Sequence, residues 1–124
     1  MLTKAIAGAL LSMILTAQTQ AQEIDVGSGI FCDTQAQMER FVTLFEGDAQ
    51  MAINAVNAEV HNPTACVAAT IAFVRGPEVG KRATWNETIH IVQVTVIGVM
   101  TPTGPRAIDP TIIYSIKRVE ERGA

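Results

Sequence analysis

The 124-residue chain is poor in the side chains from which most enzyme sites are built: two cysteines, two histidines, one tryptophan and one tyrosine, with aromatics only 5% of the total. His61 and His90 are the only histidines, so a zinc centre lacks the three or four ligands it needs. Glu59, His61 and Cys66 are the nearest candidates, and a crosslinked Cys66 drops out of that set. No serine sits in the G-x-S-x-G setting of a nucleophile elbow, and Ser28 and Ser115 read as loop or strand-face residues. Gly27-Ser28-Gly29 lacks the strand and helix frame of a phosphate loop. Glu120 and Glu121 fall in a charged tail and define no acid pair. No metal and no cofactor is expected.

A basic excess is also missing. Nine Lys and Arg stand against twelve Asp and Glu, a formal charge of −3, with no basic stripe along any segment. Nucleic acid and anionic lipid surfaces are therefore not expected partners. Beyond the N-terminus no apolar run approaches the roughly 20 residues that a spanning helix requires. No membrane insertion is expected once the leader has been removed.

What the chain does have begins at Met1. MLTKAIAGALLSMILTAQTQAQ carries Lys4 as its single charge, an apolar run from Ala5 to about Ala17, and then a polar stretch with small residues at Thr19 and Ala21. That is the pattern of a secretory signal peptide. Cleavage is expected after Ala21, leaving residues 22–124 as a single small domain in the periplasm or secreted. Cys32 lies too far beyond the apolar core to serve as a lipid-anchor cysteine.

An even cysteine count in an exported chain predicts a disulfide, and Cys32 with Cys66 allows one pairing. The pair brackets a helical segment, so a bond would tie both ends of that segment to the sheet. The rival is thiol-disulfide activity, since a cysteine near a helix N-terminus has a lowered pKa. The C-x-x-C spacing that lets a second thiol resolve a mixed disulfide is absent, which favours the structural bridge.

EIDVGSGIF, residues 23–31, reads as a polar lead-in with a short edge strand at Ile30 and Phe31. Thr34 and Gln37 form a T-x-x-Q capping box that starts a helix. Met38, Phe41, Val42 and Phe45 make its apolar stripe, and Gly47 ends it. Asp48 caps a second helix with Ala49, Ile53, Val56 and Val60 on one side, stopped by His61-Asn62-Pro63. Val67, Ala69, Ile71 and Phe73 then alternate as a strand expected to end at Gly76-Pro77.

TIHIVQVTVIGVM, residues 88–100, is the strongest strand signal. TPTGPRAIDP reads as a turn-rich connection, and TIIYSIKRV, residues 111–119, as a last strand. The predicted fold is α+β: one or two N-terminal helices packed on a three- to four-stranded antiparallel meander, with one disulfide.

The 88–100 strand raises a question of its own. Its even positions His90, Val92, Val94, Val96 and Met100 form an apolar face, yet Ile89, Ile91, Ile97 and Val99 occupy the other. A sheet covered on one side only shows polar residues opposite its core. Either a bulge shifts the register midway, or the second face is covered by a helix, a ligand or a second copy in a homodimer.

Trp85, His90 and Tyr114 are the candidate binding residues, aromatic groups being common in binding surfaces. Each also reads as ordinary sheet packing. Asn86-Glu87-Thr88 fits a glycosylation sequon. AINAVNAEVHNPTAC, TIHIVQVTVIGV and TIIYSIKRVEE, together with the leader, make the chain similar to small uncharacterised exported proteins of Gram-negative bacteria. That resemblance implies a periplasmic location and no catalytic residue. The expected function is a non-enzymatic binding or interaction module for a protein or small-molecule partner. Two alternatives stand beside it: a small hydrolase or lyase using His61 or His90 with a carboxylate, and a thiol-disulfide protein using Cys32 and Cys66.

Overall fold

A computed structural model describes residues 23–120, so the expected signal segment 1–21 and its cleavage point lie outside the described residues. In chain order the elements are β1 (Ile24–Cys32), α1 (Gln35–Leu44), α2 (Ala49–Glu59), β2 (Cys66–Ala83), β3 (Glu87–Thr101) and β4 (Gly104–Glu120). The α+β arrangement and the disulfide are present, but the helices are not N-terminal: they follow a full strand, β1. The sheet keeps the sequential antiparallel order of a meander but is closed on itself. All strands pair antiparallel in the order β1-β2-β3-β4, and β1 returns to β4, closing a small barrel. β1 is polar and glycine-containing, a poor strand by local preference, and its pairing with nine consecutive residues of β2 overrides that preference.

The helices form as their local signals require. Thr34 Oγ1 accepts from the Gln37 N–H and Gln37 Oε1 accepts from the Thr34 N–H, both at 3.1 Å. α1 buries Met38, Phe41 and Val42, and α2, capped by Asp48, buries Ala52, Ile53 and Val56. Gly47 between them has φ +102°, a backbone conformation natural to glycine. Arg40 on α1 and Glu59 on α2 are joined at 2.9 Å.

Two expected strand ends are bulges instead. β2 runs through Gly76-Pro77, two residues that stand against Gln93 alone between the register pairs Arg75↔Val94 and Glu78↔Val92, one residue in excess. Glycine is needed there because a Cβ at Gly76 would lie 2.5 Å from the Gln93 carbonyl oxygen. Proline is tolerated because a bulged residue owes no ladder N–H. Likewise only Pro102 and Thr103 separate β3 from β4, and the rest of the expected connection is strand. A register shift between Val96↔Thr111 and Gly98↔Ala107 leaves Ile108, Asp109 and Pro110 as the irregular segment.

The doubly apolar β3 has two causes. Ile89 and Ile91 pack beneath the helices with Met38, Phe41, Ile53 and Val56. Val94 and Val96 face the barrel interior with Phe31 and Ile71. At Ile97 a bulge reverses the alternation, so that Val99, two residues beyond the bulge's start, pairs with inward-facing Ile71. Both faces are thus covered from within the chain as far as Val96, while Met100 near the strand's end is 49% exposed. Cys32 and Cys66 are bonded to each other, stand opposite in the β1–β2 register, and are 1% and 0% exposed.

Candidate functional site

The barrel closes incompletely. β1 pairs with β4 only at Phe31↔Ser115 and Cys32↔Tyr114, and from Ile24 to Ile30 it has no strand-ladder pairing on that side among the described residues. Ser115 fastens the closed end, its hydroxyl donating to the Ile30 carbonyl at 2.9 Å. Beyond that point the strands diverge around a cleft of about 320 Å³. Its floor is apolar: Phe31, Phe73, Val92 and Val94, all inward-facing. Phe31 and Phe73 lie tilted with ring centroids 6.5 Å apart.

The wall contributed by β1 is open at Gly27, an inward position without a side chain, whereas beside Gly29 the Phe31 ring fills the space, 3.3 Å from where a Cβ would stand. A Cβ at Gly27 would meet nothing within 4 Å, so the space beside it is vacant of protein atoms. At the rim, Arg75 lies over the Phe73 ring at 5.9 Å and pairs with Asp25 at 3.7 Å.

His90 extends this face. It belongs to the same side of β3 as Val92, two residues along, and its Nδ1 is 2.6 Å from Glu78 Oε1. An ionised carboxylate only accepts, so Nδ1 carries the proton and Nε2 is the ring nitrogen left over. The ring is 22% exposed. In register with His90 stand Lys81 on β2 and Lys117 on β4.

The remaining sequence candidates are dispersed. Trp85 stands at the tip of the β2–β3 hairpin, 93% exposed, where Thr84 and Glu87 close a tight turn. It borders a more polar hollow of about 430 Å³ beside the end of α1. There Arg118 donates to both carboxylate oxygens of Glu87 and lies over the Phe45 ring at 5.1 Å. Tyr114 is half-buried on the helix side of the sheet, the face opposite His90. His61 occupies the turn after α2 with φ +55°.

Asp25, Gly27, Gly29, Phe31, Phe73, Arg75 and Glu78 were not read as site residues from the sequence. One signal was available: Gly27 and Gly29 alternate on one side of a strand, a pattern that marks a close approach or a gap, and the structure shows the first at Gly29 and the second at Gly27.

Three groups have clearly displaced ionisation, Arg40 being raised by its hydrogen bond to Glu59 and two carboxyls being lowered. The hydrogen bond from Arg118 holds the Glu87 carboxyl below the ordinary glutamate range, and that from Arg40 does the same for Glu59. Among the described residues no three His, Cys, Asp or Glu side chains gather to hold a metal, and no helix is long and apolar enough to cross a membrane. A separate apolar surface lies on the outer side of the sheet, where Val26 is 68% exposed beside Ala72, Ile97 and Met100.

No protein-family model, no curated protein and no solved structure matches the chain.

Proposed function

We propose that this is an exported, non-enzymatic binding module that receives its ligand in the seam between β1 and β4. The observation that carries the reading is the incomplete closure of the barrel, which leaves an apolar-floored cleft bounded by a strand edge without ladder pairing. Small-molecule sites are concave, mostly apolar and provided with a few polar groups, and Arg75 and Asp25 supply those at the rim. A buried disulfide in so small a domain fits an oxidising compartment, which supports export to the periplasm or beyond.

The test uses the disulfide-bonded protein and the uncharged fluorescent probe N-phenyl-1-naphthylamine. Probe fluorescence should rise on binding and should be lost in Gly27→Leu, which places a side chain in the cleft. Binding that Gly27→Leu leaves unchanged, or no binding at all, would remove the reading. Export is tested by mass: the mature protein should begin at Gln22.

A second reading follows from the His90–Glu78 bond, a histidine held by a carboxylate on the face that continues the cleft. Such a pair is a general base in a hydrolase or lyase. Turnover of a small ester that His90→Gln abolishes would support it.

A further inference from the structure

The cleft is lined as far as Arg75 and Val92, and the face of the sheet that floors it continues beyond them. One residue pair further along β3 from Val92, on the same face, comes the row Lys81, His90, Lys117, one residue from each of three adjacent strands. Register neighbours on one face have Cβ atoms about 5 Å apart, so the row is about 10 Å wide. A two-residue step along a strand is about 7 Å, so the row begins one short step from the apolar floor.

The charge on this face is uneven. Its two acids are already engaged, Asp25 with Arg75 at 3.7 Å and Glu78 with His90 at 2.6 Å. Neither Lys81 nor Lys117 is in an ion pair among the described residues. The chain as a whole carries −3, so two uncompensated ammonium groups beside an apolar cleft form a local cationic field on an acidic protein. Glu78, by accepting from Nδ1, fixes the imidazole between the two lysines and takes up its own charge there, so the ammonium groups remain the cations of the row.

An apolar cavity one step from a compact cationic row has the chemistry of an amphiphile site. We propose that the seam binds a small anionic amphiphile, its aliphatic chain lying on Phe31, Phe73, Val92 and Val94 and its carboxylate resting on Lys81 and Lys117. The inference rests on the seam being the ligand site and adds the class of ligand. The cleft, at about 320 Å³, takes a chain of moderate length. The row is too short and the chain too acidic for a polyanion.

The experiment displaces N-phenyl-1-naphthylamine with three probes of equal chain length below their micellar concentrations: decanoate, decanol and decyltrimethylammonium. Decanoate should bind about tenfold tighter than decanol, the size expected of two partly exposed charge contacts, and the cation should bind weakest. Charge reversal with Lys81→Glu and Lys117→Glu together should remove that advantage and leave decanol unchanged. Both lysines are exposed, so the variant should keep its fold, checked by its urea midpoint.

Equal displacement by the three probes, or decanoate affinity unaffected by the charge reversal, would overturn the anionic assignment. The seam would still stand if Gly27→Leu blocked the naphthylamine. Decanoate binding that ignores Gly27→Leu would overturn both.

Discussion

Asn57 treats Cys66 as a neighbouring strand would: its Oδ1 accepts from the Cys66 N–H at 2.8 Å and its Nδ2 donates to the Cys66 carbonyl at 3.0 Å. The reason lies in the ladder. Cys32 and Cys66 stand opposite with Cα atoms 4.0 Å apart, the close spacing of a pair that exchanges no backbone hydrogen bonds. Both backbone groups of Cys66 therefore point away from β1, and the side-chain amide of α2 satisfies them. Nδ2 also donates to the Pro63 carbonyl at 2.9 Å, fixing the turn that delivers the chain from helix to strand.

Asn57→Leu should destabilise the fold by about 1–3 kcal/mol, because it strands a donor and an acceptor at the first residue of β2. The measurement is a urea transition under oxidising conditions. A change below a few tenths of a kcal/mol would show that solvent replaces the amide without loss.

Replacing both cysteines, Cys32→Ala with Cys66→Ala, should lower stability by about 3–4 kcal/mol, the chain-entropy value for closing a loop of this length. The two residues are 34 apart in sequence. Denaturant unfolding of the double variant against the oxidised parent reads it directly. Reduction of the parent should reproduce most of the loss.

Two glycines in the same barrel should respond oppositely to alanine. Gly76→Ala meets the Gln93 carbonyl oxygen at 2.5 Å and should cost about 1–3 kcal/mol, as overpacking does. Gly27→Ala meets nothing within 4 Å and should stabilise slightly, by about 0.5 kcal/mol, by restricting the unfolded chain. Thermal melts of the two variants side by side decide it, and loss of stability in Gly27→Ala would mean the seam is narrower than described.

Acidification should weaken the fold in part through Glu59 and Glu87. Each carboxyl is held below its usual range by an arginine hydrogen bond, partly opposed by desolvation. A group whose pKa is lower folded than unfolded contributes full stability above the unfolded pKa and loses it as pH falls through the folded one. Glu59→Gln and Glu87→Gln should therefore be less stable than the parent at neutral pH and converge with it in acid. Arg40, raised by Glu59, loses its proton only in strong alkali and leaves this window untouched. Urea midpoints measured from neutral to acid pH give the comparison.

Much of the local structure can be read from nearby residues. Thr34 and Gln37 announce α1 because a capping box satisfies its donors within three positions. Gly47 and Asp48 divide the helices for equally local reasons. Gly76-Pro77 misleads, since the same dipeptide ends a strand or makes a bulge, and only the closeness of Gln93 distinguishes them. Of the sequence candidates, His90 lies beside the seam, while Trp85 and Tyr114 stand at the hairpin tip and on the opposite face.

The sequence by itself determined where the helices start and stop, the alternating faces of the strands and the one pairing open to its two cysteines. Those features depend on backbone groups and side chains a few residues apart. Tertiary structure decided that β1 is a strand, that the sheet curls until Ser115 reaches the Ile30 carbonyl across 85 positions, and that the curl stops there. The seam exists because strand twist brings β1 and β4 together at one corner only, and no local pattern in either strand encodes that meeting.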